Sequence, residues 1–94
     1  MIKKRLENEL EKIVALSKRY GAKKVILFGS CLEDPSKAHD IDIAVSGISD
    51  REFFSYYGQL SMEMADEIDI VDLNDLPSHF SKRILSRGKV LYER

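Results

Sequence analysis

Lys24-Val25-Ile26-Leu27-Phe28-Gly29-Ser30 and, nine residues further on, Asp40-Ile41-Asp42-Ile43-Ala44-Val45 are the stretches that decide how this chain folds. The first is a brief apolar run ended by Gly-Ser, the pattern of a buried strand that enters a tight turn. The second alternates acid and isoleucine at its start, as a strand with two unlike faces does. Between them, a polar stretch from Glu33 to His39 contains Pro35 and reads as a loop, or a loop with one short helical turn.

Working outward, Leu6, Leu10, Ile13, Val14 and Ser17 recur at three- and four-residue spacing, which marks one face of a helix. Gly21 suits the position just past that helix, since glycine adopts the left-handed conformation without a Cβ clash. Downstream, Ser49-Asp50-Arg51-Glu52 has the capping-box pattern. The helix that follows would turn Phe53, Tyr56, Tyr57, Leu60 and Met64 toward a core. Glu67 to Leu73 reads as a third strand. Pro77 suits the first turn of a helix running through Phe80 and Ile84 and stopping near Gly88, and Lys89 to Tyr92 forms a fourth strand. The order helix, strand, strand, helix, strand, helix, strand predicts a small α/β domain with helices packed on a sheet. No repeat or linker interrupts it, so residues 1–94 are expected to form one domain.

The bulk composition narrows the function classes. Of 94 residues, 44% are hydrophobic and 33% charged, a balance that favours a folded domain over a disordered one. The formal net charge of −1 lacks the basic excess of a protein that grips a nucleic-acid backbone. Cys31 is the single cysteine, so neither an intrachain disulfide nor a cysteine zinc cluster can form. The apolar runs are too short to span a bilayer, and the N-terminus lacks the apolar stretch of a signal peptide. The expected location is the cytoplasm, with no membrane partner.

The chemistry concentrates in the opening stretches. A strand ending in Gly29-Ser30 offers backbone N–H groups unobstructed by a Cβ, plus one hydroxyl, and such a turn can cradle phosphate oxygens. Asp40 and Asp42, two apart on a strand, project from the same face. Acids held that close repel each other unless a cation lies between them, and magnesium prefers hard oxygen ligands completed by water and substrate phosphates. One segment therefore carries a phosphate cradle and a metal platform, the two halves of a nucleoside-triphosphate site. In two-metal sites the ions lie roughly 3.5–4 Å apart and clamp the attacking and leaving oxygens. A third carboxylate is then wanted. Asp69 is the candidate, since alternation in Glu67-Ile68-Asp69-Ile70-Val71-Asp72 sets it opposite Ile68 and Ile70, whereas Asp72 falls on the other face.

Each feature alone has a plainer reading. A Gly-Ser after a strand is usually just a turn, and Asp-x-Asp on a strand is often a solvated edge. Their combination with a third strand acid is what carries the functional reading. Cys31 reads as a small packing residue rather than a nucleophile, because nothing adjacent would lower its pKa. His39 and His79 read as solvated. Phe53, Phe54, Tyr56 and Tyr57 could stack a base, but aromatic residues at helical spacing more often form core. Lys3, Lys4 and Arg5 read as a solvated helix start.

The chain resembles the minimal nucleotidyltransferases of the polymerase-beta superfamily, the small partners of HEPN proteins in prokaryotic toxin–antitoxin pairs. The resemblance rests on Val25 to Ser30, on His39-Asp40-Ile41-Asp42-Ile43-Ala44-Val45, on Ile68-Asp69-Ile70-Val71-Asp72-Leu73, and on the ending Ile84 to Glu93. It implies the polymerase-beta-like fold, a small mixed sheet of about four strands with helices packed on it (α+β in stricter schemes). It further implies that Gly29 and Ser30 contact the triphosphate, that Asp40 and Asp42 bind Mg2+, and that Asp69 completes the acidic triad. The implied reaction is transfer of AMP from ATP, in toxin–antitoxin members to a tyrosine hydroxyl of the HEPN partner. One departure stands out. Many members follow Gly-Ser with a small residue, an arginine and a glycine, whereas this chain has Cys31-Leu32-Glu33. That bears on catalytic rate, and it keeps open an antitoxin that acts by binding alone. Transfer to a small molecule is a further alternative, and self-association is left open. With four strands and their helices assigned, little chain remains for an acceptor domain, so the acceptor surface is expected on a partner.

Overall fold

A computed structural model describes residues 2–29, 40–65 and 67–94. Helix α1 spans Ile2–Arg19, strand β1 Lys24–Phe28, strand β2 Asp40–Ser46, helix α2 Asp50–Glu63 and strand β3 Glu67–Asp72. A single 3-10 turn at Leu73–Asp75 precedes helix α3, Ser78–Arg87, and strand β4, Lys89–Glu93. The sequence reading of Ser30, Cys31, Glu33, Pro35 and His39 falls outside the described residues.

Helix α1 ends where the glycine was expected. Gly21 has φ +86, its N–H donates to Lys18 O at 3.0 Å, and Ala22 N–H donates to Ser17 O at 2.9 Å. This crossed pair of bonds satisfies the last carbonyls and turns the chain into β1. At the start of α2 the Ser49 side chain accepts from Glu52 N–H at 3.3 Å, one half of the expected capping box.

The four strands form one mixed sheet in the order β3-β2-β1-β4. Strand β1 is central and antiparallel to both neighbours, with Phe28 opposite Asp42 and Ile26 opposite Ala44 on the β2 side. Its register with β4 shifts between Val25 and Ile26, whose partners are Tyr92 and Val90. Strands β2 and β3 are parallel, which requires a crossover, and α2 supplies it.

Strand parity divides the apolar residues between the two faces. On one, Val25, Leu27, Ile41, Ile43, Val45 and Ile70 pack with Ile13 and Leu16 of α1 and Tyr56 and Leu60 of α2. Ile13 and Ile43 are wholly enclosed, each burial contributing about 1.5–3 kcal/mol. On the other face a smaller cluster joins Ile26 and Ala44 to Ile84 of α3, with Phe28, Val71, Leu73 and Leu76 packed around it. Ser17, also wholly enclosed, donates to Ile13 O at 2.6 Å and lies 2.6 Å from the Tyr56 hydroxyl. With its single proton committed to Ile13, Ser17 accepts from Tyr56, so both buried hydroxyls are satisfied.

Some details differ from the sequence reading. Strand β3 ends at Asp72 rather than Leu73, because the Asp72 carboxylate accepts from Asn74 N–H at 2.9 Å and starts the 3-10 turn. Pro77 precedes α3 instead of opening it. Glu9 is buried, and its carboxylate accepts from Ala65 N–H at 3.4 Å just past the end of α2. No described helix is long and apolar enough to cross a membrane.

Candidate active site

The predicted acids occupy β2 and β3, two adjacent strands whose spacing is about 4.8 Å. The parallel register sets Asp42 directly beside Asp69, and Asp40 beside Glu67. Asp40 and Asp42 share the strand parity of Ala44, and Asp69 that of Val71, so all three belong to the α3 side of the sheet. Asp40 and Asp69 are exposed and Asp42 is half-buried. Partial burial raises the Asp42 carboxyl above its ordinary value, and the negative charges of Asp69 and then Asp40 raise it further. Three hard oxygen donors that repel one another in this way fit a divalent cation, which would remove the repulsion. Their chemistry does not suit a soft metal.

Gly29 comes to the same place from β1. It follows Phe28, the residue paired with Asp42, and turns at φ +81. A Cβ at this position would collide with the Asp42 carboxylate. The turn therefore lies against the acid, and only glycine permits that approach. Gly29 and Asp42 meet, whereas Ser30, the other predicted phosphate contact, lies outside the described residues.

Tyr57, read from sequence as core, contributes a polar end that was not anticipated. From α2 its ring packs edge-on against Phe53, and its hydroxyl reaches β3 at the sheet edge. There it lies 3.2 Å from Ile68 O and 3.3 Å from Asp69 Oδ1, to either of which it can donate. Burial raises the Tyr57 pKa, the Ile70 backbone amide draws it partly back, and the charges of Asp69 and Asp42 add to the rise. The hydroxyl accordingly stays protonated, with its one proton shared between Ile68 O and Asp69 Oδ1. A tyrosine at core spacing gives no sequence signal of this role.

Asp72 takes no part in this arrangement. It caps the 3-10 turn at the C-terminal end of β3, where carboxylate oxygens of Asp50, Asp72 and Asp75 lie within 4.8 Å of one another. Among the described residues these form the one trio drawn that close, and Asp40, Asp42 and Asp69 are more open. Phe53 and Tyr56 pack into the core, while Phe54 projects from α2 at 86% exposure. His79 is exposed and rests on Phe80, with ring centroids 4.7 Å apart.

A family model described as polymerase beta, nucleotidyltransferase matches residues 11–94. The chain belongs to this nucleotidyltransferase family. Its fold recurs in solved toxin–antitoxin structures. One is the MntA–HepT complex, at 22% identity and TM-score 0.72, matching 94% of this nucleotidyltransferase and 73% of that chain. A toxin–antitoxin structure with AMP-PNP aligns at 23% identity and TM-score 0.75, over 90% of this chain and 73% of the other. A third, from Shewanella oneidensis, is a tri-AMPylated HEPN toxin in complex with an MNT antitoxin, at 22% identity and TM-score 0.73, over 94% and 72%. At these identities the likeness is one of fold. No curated protein matches the chain.

Proposed function

We propose that this nucleotidyltransferase is a magnesium-dependent protein adenylyltransferase that moves AMP from ATP to a tyrosine hydroxyl of a HEPN partner, as the antitoxin of a toxin–antitoxin pair. The observation that carries the reading is the side-by-side register of Asp42 and Asp69 with the Gly29 turn folded onto Asp42. Support for the partner comes from structural neighbours described as antitoxins in complex with HEPN or HepT toxins, one toxin being AMPylated. Support for the nucleotide comes from the neighbour with AMP-PNP. In this reading residues 1–94 act as one domain, in the cytoplasm where ATP and magnesium are plentiful.

Each residue has a role in the proposed reaction. Gly29 and Ser30 hold phosphate oxygens through backbone N–H groups and the serine hydroxyl. Asp40, Asp42 and Asp69 hold Mg2+, which supplies charge neutralisation at the transferring phosphate. The acceptor hydroxyl oxygen attacks the α-phosphorus in line. The bond from that phosphorus to the bridging oxygen breaks, and pyrophosphate leaves. Asp69, oriented by Tyr57, takes the hydroxyl proton.

The test is incubation of the chain with its HEPN partner, ATP and magnesium, followed by intact-mass measurement of the partner. The expected result is addition of one or more AMP units, and at least a hundredfold slower addition, to order of magnitude, by Asp42→Ala. An unmodified partner after incubation with wild type would sink the proposal. Should the Asp40→Ala, Asp42→Ala double variant still neutralise the toxin fully, the antitoxin acts by contact alone.

A further inference from the structure

A pocket of about 340 Å³ opens between the end of β1 and α3. Its walls include Phe28, Gly29, Phe80, Arg83, Arg87 and Gly88. Gly29 is common to both places, since it lines this pocket and also lies against Asp42. Across the sheet the strand order runs Asp69 on β3, Asp42 on β2 and the Gly29 turn after β1, and the pocket sets the two arginines of α3 against that turn.

Arg83 and Arg87 lie four residues apart, hence on one side of α3, and both line the pocket. Two guanidinium groups at that spacing repel, and an anion between them removes the repulsion. Among the described residues, no carboxylate lies within ion-pair distance of either. The pocket's apolar walls, Phe28 and Phe80, lower the local dielectric and strengthen attraction to an anion. A guanidinium fork also matches the geometry of phosphate oxygens. On the opposite side of Gly29 the acids repel an unneutralised polyphosphate, and the stretch after the turn, Cys31-Leu32-Glu33, brings no basic side chain. A nucleotide with its α-phosphate at the acids and its tail over Gly29 would end in this pocket.

We infer that Arg83 and Arg87 form the binding site for the terminal phosphates of the nucleoside triphosphate, and hence for the pyrophosphate leaving group. The inference rests on the nucleotidyl-transfer reading for its substrate, and on the pocket for its residues. Charge that develops on pyrophosphate as the phosphorus–oxygen bond breaks is met by the two guanidinium groups. They discriminate triphosphate from monophosphate.

Calorimetric titration of the full chain with Mg-ATP, AMP and inorganic tripolyphosphate tests this. Arg83→Gln with Arg87→Gln is expected to weaken Mg-ATP and tripolyphosphate binding about ten- to a hundredfold. AMP affinity and the thermal midpoint should stay at wild-type values, both side chains being exposed. Arg83→Lys with Arg87→Lys keeps the charge without the fork and should recover part of the loss. Unaltered tripolyphosphate and ATP binding by the glutamine variant overturns the inference while leaving the transfer reading in place. Arginine-dependent tripolyphosphate binding by a wild type that transfers no AMP to its partner has the opposite meaning: the anion site stands and the transfer reading fails. A wild type that takes neither ligand defeats both.

Discussion

Gly29 works at closer quarters than any other residue of the site. It turns at φ +81 with its Cα hydrogen directed toward the Asp42 carboxylate, so an added methyl group faces both a disfavoured backbone and a collision. Gly29→Ala should lower stability by about 1–2 kcal/mol from the backbone alone. It should also weaken Mg-ATP binding, because Asp42 must move to make room. Urea unfolding and an ATP titration on the same variant measure the two effects, and wild-type ATP affinity would show that Asp42 need not sit where it does. At this scale the sequence was informative about type and parity. Alternation alone assigned Asp69 and Asp72 to opposite faces, and the structure gives them separate surroundings. It was silent on Tyr57, because core spacing looks the same whether or not the hydroxyl finds a carboxylate.

Between elements, the decisive contact joins α2 to β3. The Tyr57 hydroxyl bridges the crossover helix to the edge strand that carries Asp69. Tyr57→Phe keeps the ring packing against Phe53 and removes only that bridge, so the expected destabilisation is about 0.5–1.5 kcal/mol. The rate of transfer should fall by more than nucleotide affinity, since the bond orients Asp69 for proton transfer while Asp40 and Asp42 still hold Mg2+ in the proposed arrangement. Transfer kinetics under saturating ATP decide it, and an undiminished rate would leave Tyr57 as a purely structural residue. Element order and type were legible throughout, from apolar periodicity, the Ser49 cap and the Gly21 stop. Boundaries were less so, as at Asp72, where a side chain captured a backbone N–H and ended the strand one residue early.

Across the whole molecule, two helices pack on one face of the sheet and a single described helix on the other, and at the margin of the smaller cluster Asp40 and Asp69 are exposed and Asp42 half-buried. The larger core is locked by the enclosed pair Ser17 and Tyr56. Burial pushes the Tyr56 hydroxyl from its ordinary 10.0 up to about 12, and Ser17, which can turn its proton from Ile13 O to the ionised oxygen, offsets part of the rise. In the unfolded chain that group ionises near its ordinary value, so between the two values ionisation favours unfolding. Stability is therefore expected to hold below about pH 10 and to decline by roughly 2–3 kcal/mol on approaching pH 12. Tyr56→Phe should be less stable at neutral pH, having left Ser17 without its partner, but should show a shallower decline. Urea unfolding from about pH 9 to pH 11.5 compares the slopes, and parallel curves would mean that Tyr56 is not the group responsible.

The amino-acid order by itself determined the strands, the helices, the Gly29 turn and the parity of every acid, because these follow from periodicity and local backbone preference over a few residues. Folding in three dimensions decided which acids became neighbours. The parallel register of β2 with β3 brings together Asp42 and Asp69, 27 positions apart in the chain (69 − 42). Only the packing of α3 across β1 sets Arg83 and Arg87 beside Gly29, since on the sequence they are simply charges on an amphipathic helix. Such pairings are set by which surfaces bury each other, a property of the assembled sheet that no local pattern encodes.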